Sequence, residues 1–473
     1  MMKMKNRLET MKILCYILFQ RSARITGRYT NIMREGIKMK KLPTGYALNE
    51  CPPVKETIPL SLQQIVVLIF NVLPVPLLIG AGVGLSAAEI TILVAGCLFV
   101  TGLATILQTF GIGPVGARLP IPLENSFVFV APGIAMGAVY GLNSFTGACL
   151  VGSIVTCVLW TVFHKQLQVL FKPYIAGAVV MALGLSLCSV GIGYCAGGVG
   201  SPDYGSPVNL GLAGGTMLIM LILNHYGRKN FLSKASPLIA IVVMSAVAAA
   251  FGKLDLSGVA TEAWFRVPRI LPFGIKFELG PIITISILCF IALVELMGDQ
   301  ATASMLAEDR LPTSKETKGG VLAQGISSVI SSLFNMVPTI SGSANIGLCG
   351  ISGVTSRFVT GFAGIFVIIC GFCPKLCAIF AAIPSAVLGA VALTAFGTIL
   401  VSGMNVVKSQ PLTTRTTTIV GVSLAVGIGF SVASDALAGM PFWLSTLMSG
   451  VPGTAIVAVI LSLILREPKE EKA

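Results

Sequence analysis

Apolar residues run along this chain in unbroken stretches of about 20, long enough for an α-helix to cross the hydrocarbon of a bilayer. Strands of a membrane barrel would instead alternate polar and apolar residues over about ten positions. Reading the breaks at Gly, Pro and charge predicts fourteen spans: 61–83, 87–107, 119–136, 139–163, 168–190, 208–226, 235–252, 280–300, 318–336, 339–355, 358–374, 378–402, 416–433 and 448–465. An even number returns both termini to one side of the membrane.

Two of these spans depart from the pattern. Segment 119–136 opens with Pro120 and Pro122, carries Glu124, and alternates from Ser126 to Val130 as a short strand before Pro132. Segment 339–355 follows Pro338 and is rich in Gly and Ser. Neither suits a lipid-facing helix, because an interrupted backbone leaves polar groups unpaired in hydrocarbon. They are third in the first seven spans and third in the second seven, that is, spans 3 and 10. Breaks at matching positions in two halves are the mark of an inverted-repeat transporter, whose cargo sits between half-helix ends near mid-membrane. The expected fold is therefore an all-α polytopic membrane protein of two inverted seven-span repeats, with strand and half-helix breaks in spans 3 and 10.

Composition agrees. Hydrophobic residues make up 55% of the 473 residues and charged residues 11%, against about a quarter charged in a soluble domain. Mean hydropathy is +0.90. The net charge of +13 is not spread as a nucleic-acid surface would be. Up to Lys41 there are 11 Lys/Arg against two Glu, so residues 1–45 read as a basic cytoplasmic tail, an upstream extension of a start at Met33 or Met39. The apolar patch Ile13–Phe19 is too short to span and no small-residue cleavage site follows it, so no signal peptide is expected. With the N-terminus inside, 27 of the 32 Lys/Arg fall in cytoplasmic segments, leaving Lys253, Arg266, Arg269, Lys276 and Lys375 outside. That asymmetry is the positive-inside rule. It places a multi-pass chain in the inner or plasma membrane with both tails, including 467–473, in the cytoplasm.

Few acids lie within the spans. Glu295 and Asp299 are four residues apart, on one helical face. A carboxylate at that depth costs several kcal/mol and persists only where it meets a cavity or partner. It accepts two N–H donors side by side, and its reversible protonation suits a proton-coupled carrier. The alternative is that the pair caps the end of span eight, Asp299 more so than Glu295. Glu124 is a third intramembrane acid, placed near the cytoplasmic mouth and left without a role. Cys370, Cys373 and Cys377 have metal-like spacing, but no fourth ligand matches and His164 and His225 lie elsewhere. They read as small packing residues, and no metal or cofactor is expected. No Gly-x-Ser-x-Gly or His-rich motif points to an enzyme.

Several blocks between about Tyr46 and Leu465 resemble the nucleobase–ascorbate transporter family, the nucleobase:cation symporters of xanthine/uracil permease type. LQTFGIGPVGARLPI (Leu107–Ile121) with NSFVFVAPG (Asn125–Gly133) looks like the family's second loop and broken third span. VELMGDQATA is similar to its eighth span, where a Glu is followed four residues later by an Asp. FNMVPTISGSANIGLCGISGVTSR is similar to its signature, with Asn345 and Gly347 in place. LSLQQIVVLIFNVLPVPLLIG resembles its first span. The resemblance implies proton-coupled symport of a nucleobase, a purine such as xanthine or else uracil, with a proton rather than sodium. It implies an elevator-type homodimer, with a transport domain over 46–466. The core would be spans 1–4 and 8–11 (about 61–163 and 280–374) and the gate spans 5–7 and 12–14 (about 168–252 and 378–465).

It implies a substrate site of Glu295, Phe127, Ser126, Ser343, Ala344, Asn345 and Gln64, coupling by Glu295 and Asp299, and support from Gln324, Gly347 and Thr355. The chain departs from the pattern at three of these positions. Gln64 stands where His is usual, Gln324 where purine carriers have Asp, and Ala344 where the signature begins with Gln or Glu. An alanine cannot accept a hydrogen bond, so Ser341, Ser343 or Asn345 replaces that acceptor or the substrate differs. Two other readings remain open: a carrier of another small organic or inorganic anion on a related, sulfate-permease-like architecture, and a non-transporting membrane sensor.

The charge asymmetry has a direct test. Cysteines placed at Ser201 and Thr261 should react with an impermeant maleimide applied to intact cells, and one at Ser314 only after permeabilisation. Labelling of Ser314→Cys from outside would contradict the fourteen-span topology.

Overall fold

The computed structural model describes residues 46–167, 172–226, 236–408 and 411–465. The two tails, and with them most of the basic surplus, lie outside the described residues.

Helix α1 (Val54–Val72) runs into α2 (Pro74–Gly82) with a break at Leu73, because Pro74 at the head of α2 has no N–H to give. Together they form one apolar stretch that starts earlier than the expected residue 61. Helix α3 (Ala87–Phe110) begins with a capping box in which Ser86 and Glu89 satisfy each other's backbone N–H. Strand β1 (Leu123–Asn125) and a 3-10 turn (Phe127–Phe129) lead into α4 (Val130–Tyr140). Then follow α5 (Leu142–Leu167), α6 (Pro173–Cys195), α7 (Pro207–Tyr226), α8 (Ser236–Ala250) and the short α9 (Ser257–Thr261).

The second half opens with α10 (Leu279–Glu308) and α11 (Ser314–Leu333), then β2 (Thr339–Ser341) and α12 (Ser343–Ser352). It closes with α13 (Arg357–Gly371), α14 (Pro374–Ala381), α15 (Ser385–Lys408), α16 (Thr414–Val432), α17 (Phe442–Met448) and α18 (Gly450–Ile464). The span expected over 378–402 is not one helix: α14 turns 87° from α13, and α15 starts only after Pro384. Pro374 and Pro384 lack the N–H that would carry a helix through either point.

Eight of the described helices are long and apolar enough to cross a membrane, nine if the bent pair α13–α14 is one span. Three shorter apolar helices accompany them, at Phe127–Tyr140, Ser236–Ala250 and Gly450–Ile464.

Glycine sets how closely the helices pack. Helix α3 lies on α13, where Gly371 is so near that a Cβ there would stand 2.7 Å from the Phe99 backbone nitrogen. Helix α6 lies on α15, and a Cβ on Gly184 would come within 2.8 Å of the Leu400 nitrogen. Small residues bring backbones together in this way where lipid removes the hydrophobic drive between helices. Helices α10 and α11 both pack on α5, and α18 on α6 and α16. The turn between α10 and α11 is tied by Arg310, which donates to both oxygens of Glu316 at 2.7 Å and holds that carboxyl down at about 2.

The two interrupted segments meet. Strands β1 and β2 pair antiparallel, Leu123 with Ser341, Glu124 with Ile340 and Asn125 with Thr339. All six residues are buried. The strand expected over Ser126–Val130 therefore lies three residues upstream. Ser126 instead caps the following turn, its hydroxyl accepting from Val128 N.

Hydroxyl groups from neighbouring helices satisfy much of what so short a ladder leaves over. Thr105 of α3 accepts from Leu123 N at 3.2 Å. Ser328 of α11 accepts from Thr339 N at 3.0 Å, and Ser331 donates to Val337 O at 2.6 Å. The Asn125 amide donates to Val337 O at 2.7 Å and to Ser331 at 3.0 Å. The backbone closes the ends, Gly342 N to Pro122 O at 2.9 Å and Ser126 N to Pro338 O at 3.3 Å.

Candidate substrate site

Beyond each strand the chain turns into a helix start, and the first N–H groups of a helix have no partner within it. At β2 the transition is Gly342, followed directly by Ser343 and Ala344 of α12. Ser343, Ala344 and Gly347 are exposed on one side of α12, and a side chain added at Gly347 would meet nothing within 4 Å. This side of α12 is open space, and with Asn345 N and Ile346 N both bonded to Gly342 O the donors left at its start are Ser343 N and Ala344 N.

Helix α10 brings two carboxyls to the same place. Asp299 Oδ2 accepts from Ser341 Oγ at 2.6 Å and from Ser343 Oγ at 2.7 Å, so it grips both sides of the strand-to-helix junction. Glu295, one turn earlier, is half-buried beside it, and Gly298 and Thr302 on the same face are exposed. Glu124, from β1, completes the group. It is buried, and its Oε2 has no hydrogen-bond partner and lies against Gly342, where a Cβ would stand 3.3 Å from it. The three carboxyls are within electrostatic reach of one another. Among the described residues no Lys or Arg forms an ion pair with any of them.

The other residues singled out by sequence divide in two. Phe127 is half-buried at the turn after β1 and meets Phe396 of α15 edge-on, ring centroids 5.5 Å apart at 85°. Ser126, next to it, is buried and engaged as a cap. Asn345 turns away from the open side of α12: it is fully buried and donates to Gln64 Oε1 at 2.6 Å and to Gln64 O at 2.9 Å. Gln64 in turn donates to Cys349 Sγ at 3.3 Å. Asn345 and Gln64 thus tie α12 to α1. Thr355 bonds the backbone of Tyr46 through both its N–H, at 2.9 Å, and its hydroxyl, at 3.1 Å. Gln324 is buried on α11 beside a small cavity lined by Ser153, Thr156, Cys289, Ser328 and Thr339, and its Oε1 is unpartnered.

Sequence reasoning gave Glu124 no role and expected it near water. The signal that would have moved it inward is its position between Pro122 and the buried Asn125, in a stretch with no other charge. The serine face of α11 also went unread, although Ser327, Ser328, Ser331 and Ser332 stand at helical spacing.

Apolar helices wrapped around two broken segments, with intramembrane acids at the break, are the build of a multi-pass membrane transporter. Comparison with known proteins makes this particular. The profile of the Permease family matches residues 55–435, and the chain belongs to that family, the xanthine/uracil permease type of nucleobase transporters. It is 34% identical over 421 residues to the uric acid permease PucJ of Bacillus subtilis, covering 87% of this chain and 93% of that one. It is 32% identical over 444 residues to the xanthine permease XanP of Escherichia coli K12, covering 90% and 95%. In structure it is similar to the transmembrane domain of the bicarbonate transporter BicA of a cyanobacterium. There the TM-score is 0.57 at 13% identity, over 88% of this chain and 100% of that one, a likeness of fold alone. The chain is a transporter and not an enzyme.

The tie between α12 and α1 can be tested apart from any substrate. Asn345→Ala removes a buried donor and strands Gln64, which should cost about 1–3 kcal/mol. The midpoint of thermal aggregation of the purified protein should fall clearly below that of Ser343→Ala, whose side chain is exposed. An Asn345→Ala protein as heat-resistant as wild type would show that this contact does not hold α12.

Proposed function

We propose that this chain imports a nucleobase, an oxopurine in preference, in symport with a proton. The observation that carries the reading is the grip of Asp299 on the open start of α12, with Glu295 one turn away on the same face of α10. An oxopurine presents ring N–H groups beside carbonyl oxygens. A carboxylate accepts such N–H groups, and free helix N-terminal amides donate to such carbonyls. The relatives named for uric acid and xanthine support the same substrate class. A bicarbonate carrier shares the fold, but acids with no ion-pair partner among the described residues disfavour an inorganic anion at this site.

Proton coupling follows from the cost of charge. Carboxylates at bilayer depth without a counter-cation are expensive, and binding and release of a proton at Glu295 relieves that cost in step with substrate. In this scheme Asp299 positions the α12 start and Glu295 both binds the base and carries the proton.

The wider architecture in this proposal is fourteen spans in two inverted repeats, with both termini cytoplasmic in the plasma membrane. The antiparallel meeting of β1 and β2 supports the inversion, since it joins the third span of each half. The close pairs α3–α13 and α6–α15 support a division into core and gate that move against each other like an elevator, in a dimer. Phe127 against Phe396 is a contact across that division.

Radiolabelled xanthine, uric acid and uracil should be offered to cells lacking their own carriers. Wild-type protein should accumulate an oxopurine, and a protonophore should abolish the accumulation. Glu295→Gln should accumulate none, because an amide neither titrates nor presents two oxygens side by side to a pair of N–H groups. Asp299→Asn should lose less. Concentrative uptake by Glu295→Gln would contradict the role given to this residue.

A further inference from the structure

The start of α12 carries few side-chain acceptors where a bound base would present its N–H groups. Ala344 has none. Ser341 and Ser343 both donate to Asp299 Oδ2, which tethers their hydroxyls to that carboxyl. Asn345 is turned into the α1 contact. Besides the α10 carboxyls, one more acid stands at this junction. Glu124 is 9% exposed, its Oε2 has no partner, and that oxygen lies against Gly342, the residue that opens α12. A buried polar oxygen left unpaired is costly, so in a native structure it calls for a partner, whether water, ion or ligand.

Resting on the oxopurine reading above, we propose that Glu124 is a second substrate-reading carboxyl, accepting an N–H of the bound base at the α12 start while Glu295 accepts another. Its place on β1 makes the role geometrically firm. Glu124 is held opposite Ile340 by the strand pairing, so its backbone cannot shift without opening the ladder. Gly342 is the complement. A side chain there would press on Pro122 at 3.0 Å and on the Glu124 carboxyl, so the absence of a Cβ lets that carboxyl approach the helix start. Two separate carboxyl acceptors match a bicyclic base with N–H groups on both rings. The class of substrate this site selects is therefore an oxopurine with N–H donors on two edges.

Binding of xanthine and of 1-, 3-, 7- and 9-methylxanthine to purified, monodisperse full-length protein tests this. Glu124→Ala should weaken xanthine binding about tenfold, near the worth of one hydrogen bond lost from a buried site. Glu124→Gln, which keeps a carbonyl acceptor, should lose about threefold. For one methylxanthine the wild-type and Glu124→Ala affinities should coincide, because the methyl has already removed the N–H that Glu124 accepts. Ala344→Gln in the Glu124→Ala background should restore part of the loss by returning an acceptor to the α12 start. If Glu124→Ala does not fold, the Glu124→Gln protein carries the test, and a tenfold loss there overturns the acceptor role. Equal xanthine affinity in wild type and Glu124→Ala overturns it, as does the same loss for every methylxanthine. Wild-type protein that binds none of these purines overturns the oxopurine reading itself, a failure distinct from Glu124 being inert.

Discussion

Backbone amides that leave a helix at bilayer depth must find partners, and the pairing of Leu123–Asn125 with Thr339–Ser341 is where this chain meets that demand. Lipid supplies no hydrogen bonds, so a broken segment survives only inside protein. Three paired residues on each side cannot satisfy every group. Thr105, Ser328, Ser331 and Asn125 supply most of what the ladder lacks. The polar side chains of α3 and α11 thus follow from the break, and the break is what exposes the start of α12. A continuous helix in either segment would close the site.

The same arrangement concentrates charge. Glu124 comes from β1 and Glu295 and Asp299 from α10, and they converge because β2 lies between them: it pairs with β1 and ends in Ser341, which Asp299 holds together with Ser343 of α12. Among the described residues these acids have no cationic partner. Carboxyls kept together at depth without one are expensive to maintain, and their persistence fits a site whose occupants bring N–H donors and protons.

Much of this was legible in the sequence, and the rest was hidden for identifiable reasons. Helix positions follow from apolar runs, and the Pro and Gly punctuation of 119–136 and 339–355 marked the two breaks. Glu295 and Asp299 stood out as charges in an apolar helix. The partner of each broken segment was not legible, since strand register depends on contacts more than 200 residues apart, such as Asn125 with Ser331. That pairing shifted the strand from Ser126–Val130 to Leu123–Asn125 and drew Glu124 inward. The direction of Asn345 was equally invisible. Spacing puts it on α12 beside Ala344, but only the approach of α1 decides that it faces Gln64 and not the open side. At 378–402 a run of apolar residues concealed Pro384, which splits it.

In the proposed mode of binding, the base sits between the α10 carboxyls and the open start of α12. Alkylation of Ala344→Cys by N-ethylmaleimide, followed at that residue by peptide mass spectrometry, measures this directly. Saturating xanthine or uric acid should slow modification at position 344 severalfold while leaving a cysteine at the remote Thr261 unaffected. Unchanged alkylation at 344 in protein shown to have bound the base would contradict the account.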